Sequence, residues 1–236
     1  MAWETSGWQT AESPTANELL MQQSQRTFMT RVYAWMFVGL MITGATAFAT
    51  VANQAWLSTV LQWRFGLIIA QLGLVLALSG LAPRLSGPVA GALFVLYSAL
   101  TGTTLSVIFL VYTMGSIGQA FFLAGGVFAA MALYGTFTKK DLDAWKSFLF
   151  IGLVGIVLAG VVNLFLSSDG LGFVTACATV LVFAGLTAYD NQKLRQYHAS
   201  SGFSSAATLS IVGALILYLD FVNLFLAMVR LFGKRR

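Results

Sequence analysis

The chain has 236 residues, of which 58% are hydrophobic and only 9% charged, and its mean hydropathy is +0.82. A soluble domain of this size exposes a surface on which roughly a quarter of the residues are charged, so a water-soluble fold is excluded. The net charge of +5 is small and sits mainly in short connectors, a pattern of membrane orientation and headgroup contact rather than nucleic-acid binding.

Residues 1–25, MAWETSGWQTAESPTANELLMQQSQ, are polar and acidic, with no apolar region behind a basic start. They read as a disordered cytoplasmic tail and not as a cleaved signal peptide; Trp3 and Trp8 are its candidates for headgroup contact. Residues 26–236 then read as one transmembrane domain, an all-α polytopic bundle. Seven apolar runs follow one another at roughly 31–52, 65–82, 88–112, 117–137, 147–166, 171–193 and 207–231. Each is close to the ~20 residues a helix needs to cross the hydrocarbon core. Small residues recur in them, as in GGVFAAMALYG and GLVGIVLAG, and let neighbouring helices approach closely. Cys177, the single cysteine, lies inside the sixth run; it can form no intrachain disulfide and reads as a small buried hydrophobe.

The connectors alternate in charge. Arg26, Arg31, Arg84, Lys139, Lys140, Lys146, Lys193 and Arg195 fall on one side of a seven-span layout, whereas the opposite connectors hold only Arg64. The positive-inside rule makes that first side, and the N-terminus with it, cytoplasmic. The C-terminal RLFGKRR opposes the pattern, since seven full crossings put its four cations outside. Either the last segment is re-entrant or the earlier bias overrules the tail, and a full seventh crossing is the expectation.

Six of the eight acidic residues lie in the tail or in connectors. The other two, Asp190 and Asp220, stand in or at the edge of apolar runs. An aspartate at a helix centre costs about 2.5–3.5 kcal/mol on insertion scales. Asp220 sits about 18–20 Å along the last segment. If the sixth helix continues through NQKLRQ, Asp190 can face it from an antiparallel neighbour. Two carboxyl groups in contact in a poorly solvated site cannot both stay ionised, so they share a proton. Protonated, they bond two helices together; deprotonated, they repel and offer oxygen ligands to a hard cation such as Ca²⁺. Separately, Asp190 reads as a solvated helix-end acid paired with Lys193 or Arg195, and Asp220 as a lone neutral structural acid.

The segments FAGLTAYDNQKL (183–194), ALILYLDFVNLFLAMVRLFG (214–233), VLYSALTGTTLS (95–106) and ALYGTFTKKDL (132–142) resemble the signatures of the Bax-inhibitor family of membrane proteins, with bacterial inner-membrane members nearest. The resemblance covers about residues 26–236. It implies seven helices with the last one central, wrapped by the other six. It also implies a pH-sensitive calcium leak channel whose sensor is a di-aspartyl pair matching Asp190 and Asp220, with Ca²⁺ as permeant or bound ion. A basic residue at the end of the second helix is implied as a latch on one aspartate in the closed state. Arg84 is the candidate, a few residues beyond the family's position. Other bacterial relatives restrain a membrane-embedded ATP-dependent protease, which gives the alternative of a regulatory partner without transport.

Secondary features have two readings each. Asn223 shares a helical face with Asp220 and is a candidate pore or dyad partner, or else an interhelical hydrogen bond. Asn163, in VVNLFL, reads as a packing contact. Tyr189 and Tyr218 can bond a carboxyl or serve as core aromatics. His198, the one histidine, is a rival pH sensor in a connector. No Cys/His metal spacing, phosphate loop or nucleophile–histidine pattern is present, and Asp220 lacks the Gly-x-Gly-Asp setting of intramembrane aspartyl proteases. Enzyme activity and a resident cofactor are therefore not expected. A proton-coupled transporter of an unknown solute is a third, weaker option.

Overall fold

The computed structural model describes residues 16–197 and 206–236. Trp3, Trp8 and His198 lie outside them. The described residues are helical almost throughout and contain no strand; a single antiparallel bridge joins Tyr112 to Arg235. Six helices are long and apolar enough to cross a membrane, and a bent pair supplies a seventh span.

The first helix, α1 (Ala16–Ala52), begins ten residues before the expected tail boundary. Its first turns, ANELLMQQSQ, are built of good helix formers, and Gln25 Nε2 donates to the Arg195 carbonyl at 2.7 Å. Asn53 ends α1 and caps α2 (Gln54–Gln62), its side chain accepting from the N–H groups of Ala55 and Trp56, the usual way an N-terminal turn satisfies its free donors. From α2 the chain turns by 77° into α3 (Arg64–Gly80). A 3-10 turn at Ala82–Arg84 leads to α4 (Gly87–Leu105) and the short α5 (Ile108–Val111), so the third apolar run is broken near Ser106. Then come α6 (Met114–Phe137), a 3-10 turn at Leu142–Trp145, α7 (Lys146–Leu166), α8 (Asp169–Tyr197) and α9 (Ala206–Phe232).

The last helix is central, as the family resemblance implied, and it is surrounded by α1, α4, α6 and α8. The wrapping by all six others is not what forms. Instead α3 packs mainly on α4 and α7 mainly on α8, so these two stand outside the wall. Two seams of the wall depend on glycine. A side chain at Gly102 would overlap the Thr43 backbone of α1, and one at Gly135 would overlap the Ala188 backbone carbonyl of α8. Removing the Cβ lets those backbones touch, which is how helices gain dispersion contacts when lipid supplies no hydrophobic drive.

The two ends of the bundle differ. At one, Gln25 meets Arg195, Lys193 Nζ pairs with Asp143 at 2.7 Å, and Thr208 Oγ1 donates to the Leu85 carbonyl. This end gathers the basic connectors. At the other, the chain after α9 lies against the α5–α6 junction, with Thr113 N–H donating to the Lys234 carbonyl and Lys234 N–H to Ser116 Oγ. The last helix is therefore continuous and not re-entrant, and the C-terminus lies at the face opposite the basic connectors. Asn163 is a cap instead of a packing contact. Its carbonyl and side chain accept from Ser167 and Ser168 where α7 ends, and Ser167 takes the left-handed conformation there (φ 48°).

Candidate functional site

The helix α8 runs unbroken through NQKLRQ to Tyr197, the condition for Asp190 to reach its neighbour. Asp220 lies near the middle of α9, 14 residues from Ala206 and so ~21 Å from that end. The structure brings the two acids together, close enough for a direct side-chain hydrogen bond. Asp220 is only 4% exposed, whereas Asp190 is partly buried. Among the described residues no N–H or hydroxyl donor meets the buried Asp220 Oδ2; the polar group facing Asp220 is the Asp190 carboxyl. Two carboxylates so placed repel unless a proton or cation lies between them. Among the described residues neither acid forms an ion pair. Lys193 is bonded to Asp143 instead, and Arg195 donates to the Thr136 carbonyl at the end of α6. The solvated, cation-paired reading of Asp190 therefore does not apply.

The other candidates do not join the pair. Arg84 is exposed on the turn after α3, with no ion pair to either aspartate. The Asn223 amide donates to the Leu219 carbonyl of its own helix at 2.8 Å, so it is not a donor to the dyad; it is half-buried on α9. Tyr189 interacts with Asp143. The Tyr218 hydroxyl lies 2.6 Å from Thr43 Oγ1, in a fully buried cluster with the rings of Phe94 and Tyr97.

One residue escaped the sequence reading. Asn191, beside Asp190, is fully buried and uses its whole amide. Its Oδ1 accepts from the Tyr33 hydroxyl of α1 at 2.5 Å, and its Nδ2 donates to Ala132 O and Thr136 Oγ1 of α6, each at 2.6 Å. Its signal was the polar run DNQ within an otherwise apolar helix, which reads more simply as a solvated helix end. Only the close approach at Gly135 turns it into an interior clamp.

A seven-span bundle around a central helix, holding a buried acid pair at mid-depth, defines a polytopic α-helical membrane protein. The family signature described as "Inhibitor of apoptosis-promoting Bax1" matches residues 25–236. The chain is 48% identical over 217 residues to "Inner membrane protein YbhL" of Escherichia coli K12, covering 89% of this chain and 93% of that protein. It is 45% identical to a Deinococcus radiodurans protein (89% and 91% covered) and 39% identical to protein RP147 of Rickettsia prowazekii (94% and 95% covered). The chain belongs to the Bax-inhibitor family.

Proposed function

We propose that this protein is a passive, pH-sensitive calcium leak of the bacterial inner membrane, with a cytoplasmic N-terminus and with Asp190 and Asp220 as its sensor. The observation that carries the reading is the acid pair itself, with a buried carboxyl oxygen that meets no donor other than its partner acid. Holding one proton, the pair bonds α8 to α9 across the centre of the bundle. Losing it leaves two like charges in contact, which drives the helices apart and presents oxygen ligands that suit a hard cation.

A resident Ca²⁺ takes about six to eight oxygens. The two carboxyl groups supply four at most, so the pair suits an ion in transit better than a stored one. Arg84 has no part in this mechanism, and Asn223 enters it only as a half-buried polar group on the central helix. The gathering of the basic connectors at one face supports the orientation, and the name of the E. coli relative supports the inner membrane.

The purified protein in calcium-free liposomes tests the proposal. Calcium entry should be low in acid and rise as the pH is raised. Entry equal to that of empty liposomes at every pH refutes the leak and favours the rival function, a regulatory partner of a membrane-embedded ATP-dependent protease.

A further inference from the structure

We infer that an apolar plug, Val32 and Leu194 closed over Gly213, is the barrier between the acid pair and the basic face, and that the Asn191 clamp holds it shut. The inference rests on the leak proposed above and adds where the closed path is blocked.

The register of the helices places the plug. Leu194 lies four residues beyond Asp190 on α8, on the same face and nearer the basic end. Gly213 lies seven residues before Asp220 on the antiparallel α9, again on the same face and toward that end. Val32 closes the layer from α1. Val32 and Leu194 are 0% and 3% exposed. A methyl group built on Gly213 would lie 3.0 Å from Leu194 Cδ2 and 3.2 Å from Val32 Cγ2, so the layer has no room even for water. An apolar constriction of this kind stops ions by excluding their hydration shells.

The polar clamp sits in the same layer. Tyr33 follows Val32 on α1, Asn191 follows Asp190 on α8, and one turn further on Arg195 binds the carbonyl end of α6. These bonds fix the rotation of α8 against α1 and α6. The helix cannot turn Leu194 away from Gly213 without breaking the three bonds of Asn191.

On the outer side of the clamp a polar cavity of about 340 Å³ opens at the basic face, its lining including Gln25, Thr136, Gln192 and Arg195. It carries Lys139, Lys140 and Arg195 against Asp141, so it does not concentrate cations, and its lining reaches the clamp at Thr136.

The titratable and charged groups around the layer are few. Asp190 and Asp220 face each other, and α1 contributes the Tyr33 hydroxyl. The connector between α6 and α7 contributes Lys139, Lys140 and Asp141 at the cavity and Asp143, which pairs with Lys193 and has Lys146 near it; Tyr189 of α8 bonds Asp143 and lies near enough to Asp190 to feel its charge. From α9 nothing but Asp220 faces the pair. In this arrangement the acids are the sensor and the plug is the gate: the pair's repulsion moves α8 and α9 apart, and Leu194 leaves Gly213.

Calcium entry into liposomes at acidic and at neutral pH separates the two roles. Leu194→Ala should raise the acid-side leak several-fold over wild type and flatten its pH dependence. Tyr33→Phe keeps the packing and removes one clamp bond, so its acid-side leak should rise less, about threefold, as for the loss of an average interhelical hydrogen bond. A residue with only a structural role would lower the melting temperature and leave the leak per folded protein unchanged. If both variants fold and leak like wild type in acid, the plug is not the barrier. If Leu194→Ala leaks while Asp220→Asn keeps its pH dependence, the plug stands and the acid-pair sensor falls; the converse sinks the plug alone. Should wild type pass no calcium, Leu194→Ala must open a path, or the assignment fails.

Discussion

The last helix and the α7 helix are both long and apolar, yet their surroundings are opposite. The α7 span is the more apolar of the two, yet only 6% of it is buried in protein, against 72% of the α9 span. In water the more apolar segment would take the core. In lipid apolarity gives no preference between protein and bilayer, and packing and polar contacts decide. The α9 helix carries Ser210, Gly213, Ala214, Tyr218 and Asp220 at buried positions, so protein is the only good solvent for its polar atoms. The α7 helix turns Phe150, Ile151, Leu158, Leu164 and Phe165 outward and touches α8 along a narrow seam, where Gly152 meets Val182 and Leu149 meets Gly185.

That contrast can be broken by substitution. The largest effect is expected where the wall around α9 has no slack. Gly135→Val, whose side chain overlaps the Ala188 backbone, should cost at least ~3 kcal/mol and appear as loss of the monodisperse protein in detergent. Next, Leu217→Ala in fully buried α9 should cost about 2–4 kcal/mol, whereas Leu164→Ala on exposed α7 should stay within ~0.5 kcal/mol. Equal melting-temperature shifts for the two would refute the contrast. Asn191→Leu leaves the Tyr33 hydroxyl, the Thr136 hydroxyl and the Ala132 carbonyl without their partner. It should lower stability by about 1–3 kcal/mol, measured by reversible unfolding in mild detergent. Tyr33→Phe is the smallest of the series, at ~0.6 kcal/mol, and an effect equal to that of Asn191→Leu would mean that the amide's bonds to α6 contribute nothing.

The sequence showed what the bilayer demands and missed what tertiary contact creates. Span number, the all-α class and the meeting of Asp190 with Asp220 follow from run length, the rarity of charge and the short connector between antiparallel helices. The helix at 54–62 was invisible because its nine residues are too few to span and only mildly apolar. The early start of α1 was hidden by its polar composition, which no bilayer demands of a helix. Asn223 turns its amide to its own helix, because sharing a face with Asp220 does not say which acceptor is nearest. The carbonyl one turn back on its own helix is always within reach, and it wins. Asn191 is the opposite case: its partners on α1 and α6 lie 158 and 55–59 residues away, and no local pattern announces them.

The resemblance placed a basic latch at Arg84, and here the chain departs. Leu81, Ala82 and Pro83 carry that arginine onto a 3-10 turn at the face of the bundle, where proline ends helical continuation and the exposed side chain pairs with neither acid. On the leak proposed above, closure falls to groups already inside: the shared proton, the apolar layer and the Asn191 clamp.

The central claim is that the protonation of Asp190 and Asp220 sets the leak. The most direct measurement is calcium entry into liposomes against pH for wild type, Asp190→Asn and Asp220→Asn at equal protein density. An amide keeps the shape of the acid and cannot lose a proton. The account predicts entry that rises with pH in wild type and is independent of pH in both variants. A wild-type pH profile retained by either variant contradicts it.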